Sequence, residues 1–349
     1  MARIVVAGAG VVGASVAYHL AALGADDVVL ADRGEVAGRA TSKGMGGVRQ
    51  QFSTEAEVRL AQASIDFFRA LGPDCFLRVG YLFVAATEEA LAELEQRRLL
   101  QVDLGVPVER IDPSFVPGLR TDDLVGAVFC AMDGVGNPVA VARELVRRAA
   151  ELGAEVREQT PAEELDAEVL VIACGAASAE LGAKVGVELP IRPLCRQLLE
   201  TSTLELPARL PMTVEAESGF HFRRRADRLV LAMSDPEPRW TDEESVDESL
   251  IGDRLERLVH RYPPAAGARI EHAWAGLYDM TPDAHPIVGR VADGIYAACG
   301  FSGHGFMQSP AVGRALAEEI LLGGSSLDLS PYRLERFPEG MFFPETLIL

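Results

Sequence analysis

Two glycine-rich turns in this sequence carry residue types that could hold a phosphorylated ligand. The first turn, residues 8–13, reads Gly-Ala-Gly-Val-Val-Gly; it follows a short apolar strand at residues 3–7 and opens a helix that ends near Gly24. A second apolar strand at residues 28–31 ends in Asp32. Glycines collect in many tight turns, but this placement between strand and helix, with an acid ending the next strand, is typical of a dinucleotide site.

The residue types in this first turn match the groups of a dinucleotide. Gly8 and Gly10 let backbone N–H groups approach a pyrophosphate, and Gly13 lets the helix pack closely on the strand. Asp32 can accept hydrogen bonds from both ribose hydroxyls. The pattern alone does not distinguish NAD from FAD.

The second glycine-rich turn, at residues 299–307, reads Cys-Gly-Phe-Ser-Gly-His-Gly-Phe-Met. A strand at residues 295–298 leads into it, and Ser309 and Pro310 predict the N-cap and the first residue of a helix that runs to Leu322. The unpaired N–H groups at this helix start would point back toward the turn. They would stabilise negative charge on a ligand bound there.

A loop between these turns carries glycines beside two cations. Its members are Lys43, Gly44, Gly46, Gly47 and Arg49. This composition indicates backbone packed against a flat or anionic ligand, and a flexible surface loop is the alternative. Thr54 with Glu57 three residues later is a capping-box pattern, which predicts a helix directly after the loop.

The elements that must position these turns alternate between strand and helix. A helix that begins at Asn137 leads to a strand through Val156. A further strand at residues 169–173 ends in small residues, Gly175 among them, so that a second backbone segment can touch the ligand. Residues 192–275 show the alternation of antiparallel strands. The sequence therefore predicts an α/β Rossmann-like domain with an inserted antiparallel sheet.

Size and charge narrow the class of protein. The 349 residues predict about two domains. A formal net charge of -19 repels phosphate backbones and anionic lipid surfaces, so we expect neither nucleic acid nor a membrane surface as partner. Five widely spread cysteines without a C-x-x-C pair indicate a reducing, cytoplasmic setting. No stretch is long enough for a membrane span, and the histidines show no metal-ligand spacing.

Several segments together resemble the FAD-dependent D-amino-acid oxidase superfamily, in its sarcosine oxidase, glycine oxidase and proline dehydrogenase branch. The matching segments are "VVAGAGVVGASVAYHLAALGA", "GGVRQQFS", "VLVIACGAAS", "WAGLYDMTPDAHPIVG" and "GIYAACGFSGHGFMQSPAVGRALAEEILLG". The resemblance implies a discontinuous FAD-binding domain of residues 1–82, 134–187 and 286–349. A substrate domain of residues 83–133 and 188–285 would be inserted in it.

The resemblance also implies a reaction and a set of site residues. Enzymes of this branch move a hydride from the carbon beside an amine to flavin N5, and water hydrolyses the resulting imine. The positions assigned to FAD are Gly8, Gly10, Val11, Val12, Gly13, Asp32, Arg33, Thr41, Ser42, Lys43, Gly44, Gly46, Gly47, Val156, Ala173, Gly175, Gly300, Ser302, Gly303, His304, Gly305, Phe306 and Met307. The positions assigned to the substrate and the reacting atoms are Arg49, Arg196, His221, Tyr278, His304 and Met307, with Arg223 as a further candidate for a substrate carboxylate.

Three departures from the family pattern bear on mechanism. Some members attach FAD through a cysteine two positions before Tyr278, but this chain has Gly276 there, so we predict non-covalent FAD. Oxidases of the sarcosine type have a lysine after S-G-H-G-F that serves oxygen activation and the substrate carboxylate. This chain has Met307, which favours a dehydrogenase. Tyr278 itself occupies the position of an arginine in glycine oxidases.

The substrate and the electron acceptor stay open. We expect a small amine or amino acid, of the sarcosine, proline or glycine type. An amino-acid oxidase that uses oxygen, the flavin subunit of a heteromeric dehydrogenase with a redox partner, and a non-enzymatic FAD-binding assembly protein are the alternatives. A nicotinamide-only dehydrogenase is disfavoured, because it would not require the second glycine-rich turn.

Overall fold

The first glycine turn joins the first strand of a parallel sheet to the first helix, as its sequence predicts. In the computed structural model, which describes residues 3–343, the strands are β1 (Ile4–Ala7), β2 (Val28–Ala31), β3 (Gly47–Val48), β4 (Phe76–Leu77), β5 (Tyr81–Ala85), β6 (Val108–Ile111), β7 (Gly126–Cys130), β8 (Gly134–Gly136), β9 (Glu155–Arg157), β10 (Val169–Ile172), β11 (Arg192–Thr201), β12 (Met212–Glu215), β13 (His221–Arg225), β14 (Arg228–Ala232), β15 (Ile270–Met280), β16 (Ile287–Ala292) and β17 (Ile295–Cys299). The α-helices are α1 (Val11–Ala22), α2 (Ala40–Lys43), α3 (Glu55–Ala70), α4 (Glu88–Asp103), α5 (Pro138–Glu151), α6 (Ser178–Lys184), α7 (Ile251–Arg261) and α8 (Gly305–Leu322).

A six-stranded sheet in the order β16-β17-β10-β1-β2-β9 forms the Rossmann-like layer. Its neighbouring strands are parallel except at β16, which runs antiparallel to β17. Every residue of β1 and β2 is buried, which is typical of a sheet covered on both faces. Helices α1, α5 and α8 pack together over one of those faces. The sequence therefore predicted this α/β layer correctly.

An eight-stranded sheet in the order β15-β11-β14-β13-β12-β5-β7-β6 forms the second layer. Its strand pairs are antiparallel except β5 with β12, which are parallel. Side chains of β5 alternate between its faces: Tyr81 and Phe83 join one apolar cluster, whereas Leu82 and Val84 join another beneath α7. All of β5 belongs to this sheet, so the boundary expected at residue 82 falls inside a strand.

A small sheet in the order β3-β8-β4 lies where the two layers meet. Within it, Val48 pairs with Gly134 and Gly47 pairs with Val135. Strand β3 directly precedes Arg49, so this pairing sets where the loop after β3 begins.

Two local predictions about the turns were wrong. Helix α8 begins at Gly305 and contains Pro310, although Ser309 and Pro310 predicted a later start. A proline inside a helix leaves the carbonyl four residues earlier without its N–H donor. The Ser309 hydroxyl donates to that carbonyl, of Phe306, at 2.9 Å, and so replaces the missing bond. The loop before Gly44 also begins as a helical turn, α2, that holds Thr41, Ser42 and Lys43.

The capping residues predicted from sequence are confirmed. Thr54 Oγ1 accepts the N–H of Glu57 at 3.3 Å, and Asn137 Oδ1 accepts the N–H of Ala140 at 3.2 Å. The Glu57 side chain does not return to Thr54, as a full capping box would require. It is buried instead, with its carboxylate 3.0 Å from His285 Nδ1.

Within residues 3–343, no helix is both long and apolar enough to cross a membrane. Over the same residues, no group of three or more His, Cys, Asp or Glu side chains has an arrangement that could hold a metal ion.

Helices α1 and α8 touch at Gly313, and this contact yields a stability prediction. A Cβ at Gly313 would lie 2.2 Å from Ser15 Oγ and 2.7 Å from the Ser15 carbonyl carbon. Because one of these atoms belongs to the backbone, rotation of the Ser15 side chain cannot relieve the clash. We therefore expect Gly313→Ala to lower the free energy of unfolding by about 1–2 kcal/mol, as overpacking commonly does.

Gly252 in α7 provides the matched control for Gly313→Ala in urea unfolding. It is exposed, and a Cβ there would have no heavy atom within 4 Å. We therefore expect Gly252→Ala to raise the free energy of unfolding by up to about 1 kcal/mol, through alanine's higher helix propensity. A Gly313→Ala protein as stable as the parent would contradict the close contact.

Candidate cofactor and substrate site

A cavity of about 950 Å³ lies between the six-stranded and the eight-stranded sheets. Ala7, Ala31 and Ala298, which line it, stand at or next to the carboxyl ends of β1, β2 and β17. Open α/β sheets bind their ligands at this edge, outside the carboxyl ends of the strands. The cavity extends from the first glycine turn to the second, because residues of both turns line it.

One end of the cavity is a backbone cradle made by the first glycine turn. Gly8 has a φ of +103°, and a Cβ there would lie 2.3 Å from the Ala173 carbonyl oxygen. Gly13 lies behind the turn, where a Cβ would be 1.8 Å from the Gly8 oxygen. Side chains at either position would therefore separate the strand, the helix and the end of β10. The N-cap of helix α1 is Gly10, which makes no side-chain cap, so the N–H groups of the first turn after that of Val11 can serve an anion.

Two side chains complete this cradle. Thr41 Oγ1 accepts the Val11 N–H at 3.0 Å and thereby fixes α2 beside the start of α1. The Asp32 carboxylate accepts the N–H groups of Ala9 and Gly34, each at 2.7 Å. Each carboxylate oxygen keeps a second lone-pair direction, and Asp32 lines the cavity, so it can also accept hydrogen bonds from ribose hydroxyls.

The middle of the cavity is floored by backbone from residues 43–47. Gly46 has a φ of +78°, and a Cβ there would lie 2.4 Å from the Gly136 carbonyl oxygen. The Trp274 indole donates to the Lys43 carbonyl at 3.0 Å, and Lys43 Nζ forms an ion pair with Glu244. These contacts hold the segment against β8 and β15, and its three glycines leave backbone open to the cavity, which suits a flat ring.

The far end of the cavity is organised by an acid that the sequence analysis did not single out. Asp279 is buried, and its Oδ2 accepts the Gly300 N–H at 2.7 Å. Burial raises the pKa of this carboxyl to about 6, against the lowering effect of backbone N–H groups at residues 300–302. The sequence did offer one signal for this residue, since an acid next to Tyr278 in a largely apolar strand is unusual. The sequence does not show that the acid gathers the second glycine turn.

Helix α8 begins directly at this end of the cavity. Its N-cap is His304, without a side-chain cap hydrogen bond, and its first turn has no acidic side chain. Gly303 packs directly against the Tyr278 ring, because a Cβ there would lie 2.5 Å from a Tyr278 ring carbon. The unshielded helix N-terminus can therefore stabilise negative charge on a ligand.

Cationic and imidazole side chains surround this reacting end. Arg49 is 1% exposed, and its Nη2 lies 3.4 Å from Nε2 of His304. The Arg196 guanidinium lies 5.9 Å from the centre of the Tyr278 ring, and its buried Nε has no hydrogen-bond partner among the described residues. Both arginines lower the pKa of His221, after the larger effect of burial. This concentration of positive charge suits an anionic substrate group.

His221 is a neutral acceptor in this surrounding. Burial lowers its pKa to about 4, so the ring is uncharged at neutral pH. Its Nδ1 lies 2.7 Å from the Gly219 carbonyl oxygen, which can only accept, so Nδ1 carries the proton. Nε2 is then left with a lone pair that can accept a hydrogen bond from a ligand N–H.

Most of the residues expected from sequence line the cavity together. Those that do are Gly8, Gly10, Val11, Val12, Asp32, Arg33, Thr41, Lys43, Gly44, Gly46, Gly47, Arg49, Ala173, Gly175, Arg196, His221, Tyr278, Gly303, His304, Gly305, Phe306 and Met307. Those that do not are Gly13, Ser42, Val156, Gly300, Ser302 and Arg223.

The residues outside the cavity wall have identifiable places. Gly13 and Gly300 shape the two turns from behind, and Val156 lies in β9, where it pairs with Leu30. The Ser42 hydroxyl donates to the Arg39 carbonyl at 2.9 Å. Arg223 is buried, which lowers its pKa to about 10, and it does not reach the cavity.

These features fit FAD. The glycine cradle and Asp32 suit a pyrophosphate and a ribose at one end, and a Cβ at Gly8 or Gly46 would collide with the backbone of Ala173 or Gly136 that shapes the cavity wall. The glycine floor and the start of α8 suit a flat ring that gains negative charge at the other end. Gly276 leaves no thiol two positions before Tyr278, and the Lys43 side chain packs there, 3.1 Å from the place a Cβ would take.

Comparison with known proteins agrees with this fit. Residues 3–319 match the family model described as DAO, FAD dependent oxidoreductase. The chain is similar to the L-proline dehydrogenase from P. horikoshii, with a TM-score of 0.92, 26% identity and coverage of 98% of this chain and 99% of that one. It is also 27% identical to glycine oxidase from Geobacillus kaustophilus, over 95% of this chain and 96% of the relative.

The mitochondrial sarcosine dehydrogenase of Mus musculus is 24% identical over 96% of this chain, which spans only 41% of that relative's length. The family match extends over nearly the whole chain and includes both glycine turns. This protein therefore belongs to the DAO family of FAD-dependent oxidoreductases.

Proposed function

We propose that this protein oxidises the C–N bond of a small amino acid or secondary amine, of the sarcosine, proline or glycine type, and works as a dehydrogenase. The observation that carries the proposal is the cationic reacting end of the cavity, with Arg49 and Arg196, inside a protein of net charge -19. An anionic substrate group is drawn to this end. The relatives, a sarcosine dehydrogenase, a glycine oxidase and an L-proline dehydrogenase, support the same substrate class.

FAD would be held by the residues that line the two ends and the floor of the cavity. Backbone N–H groups at the start of α1 would bind the pyrophosphate, and Asp32 the ribose. Residues 44–47 and the start of α8 would enclose the isoalloxazine. When bound, FAD supplies the oxidising power by accepting a hydride from the carbon beside the amine.

The substrate carboxylate would be bound by guanidinium groups. The Nε atom of Arg196 is buried without a hydrogen-bond partner among the described residues and Arg49 is buried, so both cations gain from an anionic ligand. A carboxylate held at two points fixes the direction of the neighbouring C–H bond.

His221 would select the uncharged amine. Its Nε2 lone pair accepts from an amine N–H, and its own proton stays on Nδ1 because the pKa near 4 keeps the ring neutral. An amine with a free lone pair is the form from which a hydride departs. The nearby arginines disfavour an ammonium group, so they add to this selection.

Met307 supports an acceptor other than oxygen. It is the third residue of α8 and lines the cavity, but is only 7% exposed and packs among apolar side chains. A thioether cannot supply the positive charge that would stabilise oxygen as it takes up electrons. An oxidase that uses oxygen, and a flavin subunit within a larger assembly, are the alternatives.

The substrate class is tested by adding amines and amino acids to the oxygen-free protein and following flavin absorbance. We expect N-methyl or cyclic amino acids, or glycine, to bleach the flavin, and the corresponding amides to bind at least about tenfold more weakly, because they lack the anion. Arg196→Met should raise the dissociation constant of the carboxylate substrate by about 10- to 100-fold.

The matched control is Arg192→Met, on the same strand. Arg192 is exposed and lies over the Trp240 ring, and it does not line the cavity, so this change should leave substrate affinity as it is. If no amine or amino acid bleached the flavin, the proposed activity would be wrong and a non-enzymatic role would be favoured.

The electron acceptor is tested at Met307. We expect the reduced parent protein to be reoxidised faster by an artificial electron acceptor than by oxygen. Met307→Lys should raise the rate of reoxidation by oxygen by about tenfold or more, since it adds a cation beside the site of electron transfer. Met307→Leu, which keeps the volume without charge, is the control; faster reoxidation of the parent by oxygen would contradict the dehydrogenase assignment.

The mode of FAD attachment is tested by acid precipitation. Because Gly276 has no thiol, we expect flavin absorbance to appear in the supernatant in an amount equal to that bound before denaturation. Flavin that stays with the protein pellet would show a covalent bond formed elsewhere.

A further inference from the structure

We infer that Asp133 is a positioning residue for the substrate carboxylate, because its buried carboxylate fixes the loop that aims Arg49 into the cavity. Asp133 lies between β7 and β8 and does not line the cavity. It therefore acts through Arg49 and touches neither substrate nor cofactor. If the proposed function holds, the ligand of Arg49 is the substrate carboxylate.

Two glutamines after Arg49 converge on this carboxylate. Gln50 Nε2 donates to Asp133 Oδ1 at 2.9 Å, and Gln51 Nε2 donates to Asp133 Oδ2 at 3.1 Å. All three side chains are buried, with exposures of 0% for Asp133, 4% for Gln50 and 3% for Gln51. The Gln50 backbone N–H and the Cys130 thiol also bond the Asp133 carboxylate.

One of the two residues that Asp133 holds, Gln51, also contacts the Arg49 guanidinium directly. Arg49 Nη1 donates to the Gln51 carbonyl, and the guanidinium lies 4.1 Å from the centre of the Phe52 ring. The Gln51 side chain is fixed a second time, by its 3.1 Å bond to the Tyr81 carbonyl. Removing Asp133 leaves buried amide donors without an acceptor, so the loop must move to satisfy them.

A third link comes from the backbone. Asp133 immediately precedes β8, whose Gly134 pairs with Val48 of β3, next to Arg49. The Asp133 carbonyl also accepts the Gly80 N–H at 2.9 Å, which ties the same point to the start of β5. The loop that contains Arg49 is therefore anchored to Asp133 in two ways: through the side chains of Gln50 and Gln51, and through the pairing of β8 with β3.

The Asp133 carboxylate is held at a cost in stability. Burial raises its pKa to about 6, against the lowering effect of its hydrogen bonds to Gln50, Gln51 and Cys130. The neighbouring titratable groups are Cys130 and Tyr81, whose pKa values are raised by burial. The charge of Arg49 lowers the pKa of Tyr81 against this larger effect. Between pH 4 and 6 the folded state holds the proton more tightly than the unfolded state. The stability that this proton gives is present below about pH 4 and is lost as the pH rises through 6.

Above pH 6, therefore, the protein keeps an ionised buried carboxylate that destabilises the fold. The benefit of the ionised carboxylate is that it accepts hydrogen bonds from the side-chain amides of Gln50 and Gln51 at once. Protonation replaces one acceptor site by an O–H group that faces an amide donor, so the loop loses a bond. We expect the affinity of Arg49 for a carboxylate to fall as the pH falls through 6.

The experiment uses acetate as an unreactive carboxylate probe on the FAD-loaded protein, with acetamide as the neutral control. Binding is followed by the change in the visible flavin spectrum between pH 5 and 8.5. The variant is Asp133→Asn, which keeps the shape but puts an amide donor opposite one glutamine amide. We expect the acetate dissociation constant at pH 8 to rise about tenfold or more and the melting temperature to stay level or rise. The change in acetate affinity near pH 6 should become smaller than in the parent, while Asp279, whose pKa burial also raises to about 6, still titrates at the cavity.

The reactive substrate gives a second measure. In the oxygen-free reaction, Asp133→Asn should raise the substrate dissociation constant, while the limiting rate of flavin reduction changes less than about threefold, because binding and not chemistry is affected. Glu57→Gln is the matched control: it also neutralises a fully buried carboxylate, but one beside His285 and Gln308, away from Arg49. It should leave acetate binding as in the parent.

Each outcome decides the inference. Acetate binding in Asp133→Asn equal to that of the parent at pH 8, or a lower melting temperature with unchanged binding, would overturn it. If Asp133→Asn does not fold, Gln51→Met removes the same link from the other side and should weaken acetate binding in the same direction. Acetate binding that depends on Asp133 in a protein whose flavin no amine bleaches would overturn the proposed function and uphold the inference.

Discussion

The close approach of Gly8 to the Ala173 carbonyl is the constraint on which the rest of this structure depends. The carboxyl ends of β1 and β10 can meet only because no Cβ stands between them. That meeting places the start of α1 beside the turn after β10, so N–H groups and a flat backbone wall face the same cavity. A side chain at Gly8 would separate the two strand ends and remove the cradle before any chemistry began.

A second approach of the same kind fixes the reacting end. Gly303 lies against the Tyr278 ring, and Asp279, the next residue of β15, binds the Gly300 N–H. Strand β15 belongs to the eight-stranded sheet, whereas α8 follows a strand of the six-stranded sheet. These two contacts fix the positions of the two layers relative to each other. They lie where, on the proposed function, the flavin ring and the substrate meet. Binding of one ligand group and orientation of the other depend on the same few contacts.

Much of the fold could be predicted from residue order, because its signals are local. The strand, glycine turn, helix and Asp32 lie within one short segment, and Thr54 and Asn137 marked their helices correctly. Pro310 misled the prediction because its usual place is the first helical turn, and only the Ser309 hydroxyl, aimed at the Phe306 carbonyl, lets it sit further inside.

The candidate site was harder to predict, because it depends on distances between remote residues. Arg223 and His221 share one face of β13, yet only His221 lines the cavity. The edge of the cavity therefore lies between these two positions of the strand. Asp133 and Asp279 look like ordinary acids in the sequence. Their importance comes from the donors that surround them, 82 residues away in the case of Gln51 and 21 in the case of Gly300. Sequence spacing does not carry that information.

The Lys43–Glu244 ion pair joins the floor of the cavity to a segment of the other layer, and both side chains stay about one quarter exposed. A pair so open to water contributes only about 1 kcal/mol to stability. Salt would screen it further. The pair therefore holds the floor of the cavity to this segment only weakly, and the strength of that hold depends on the ionic strength of the surroundings.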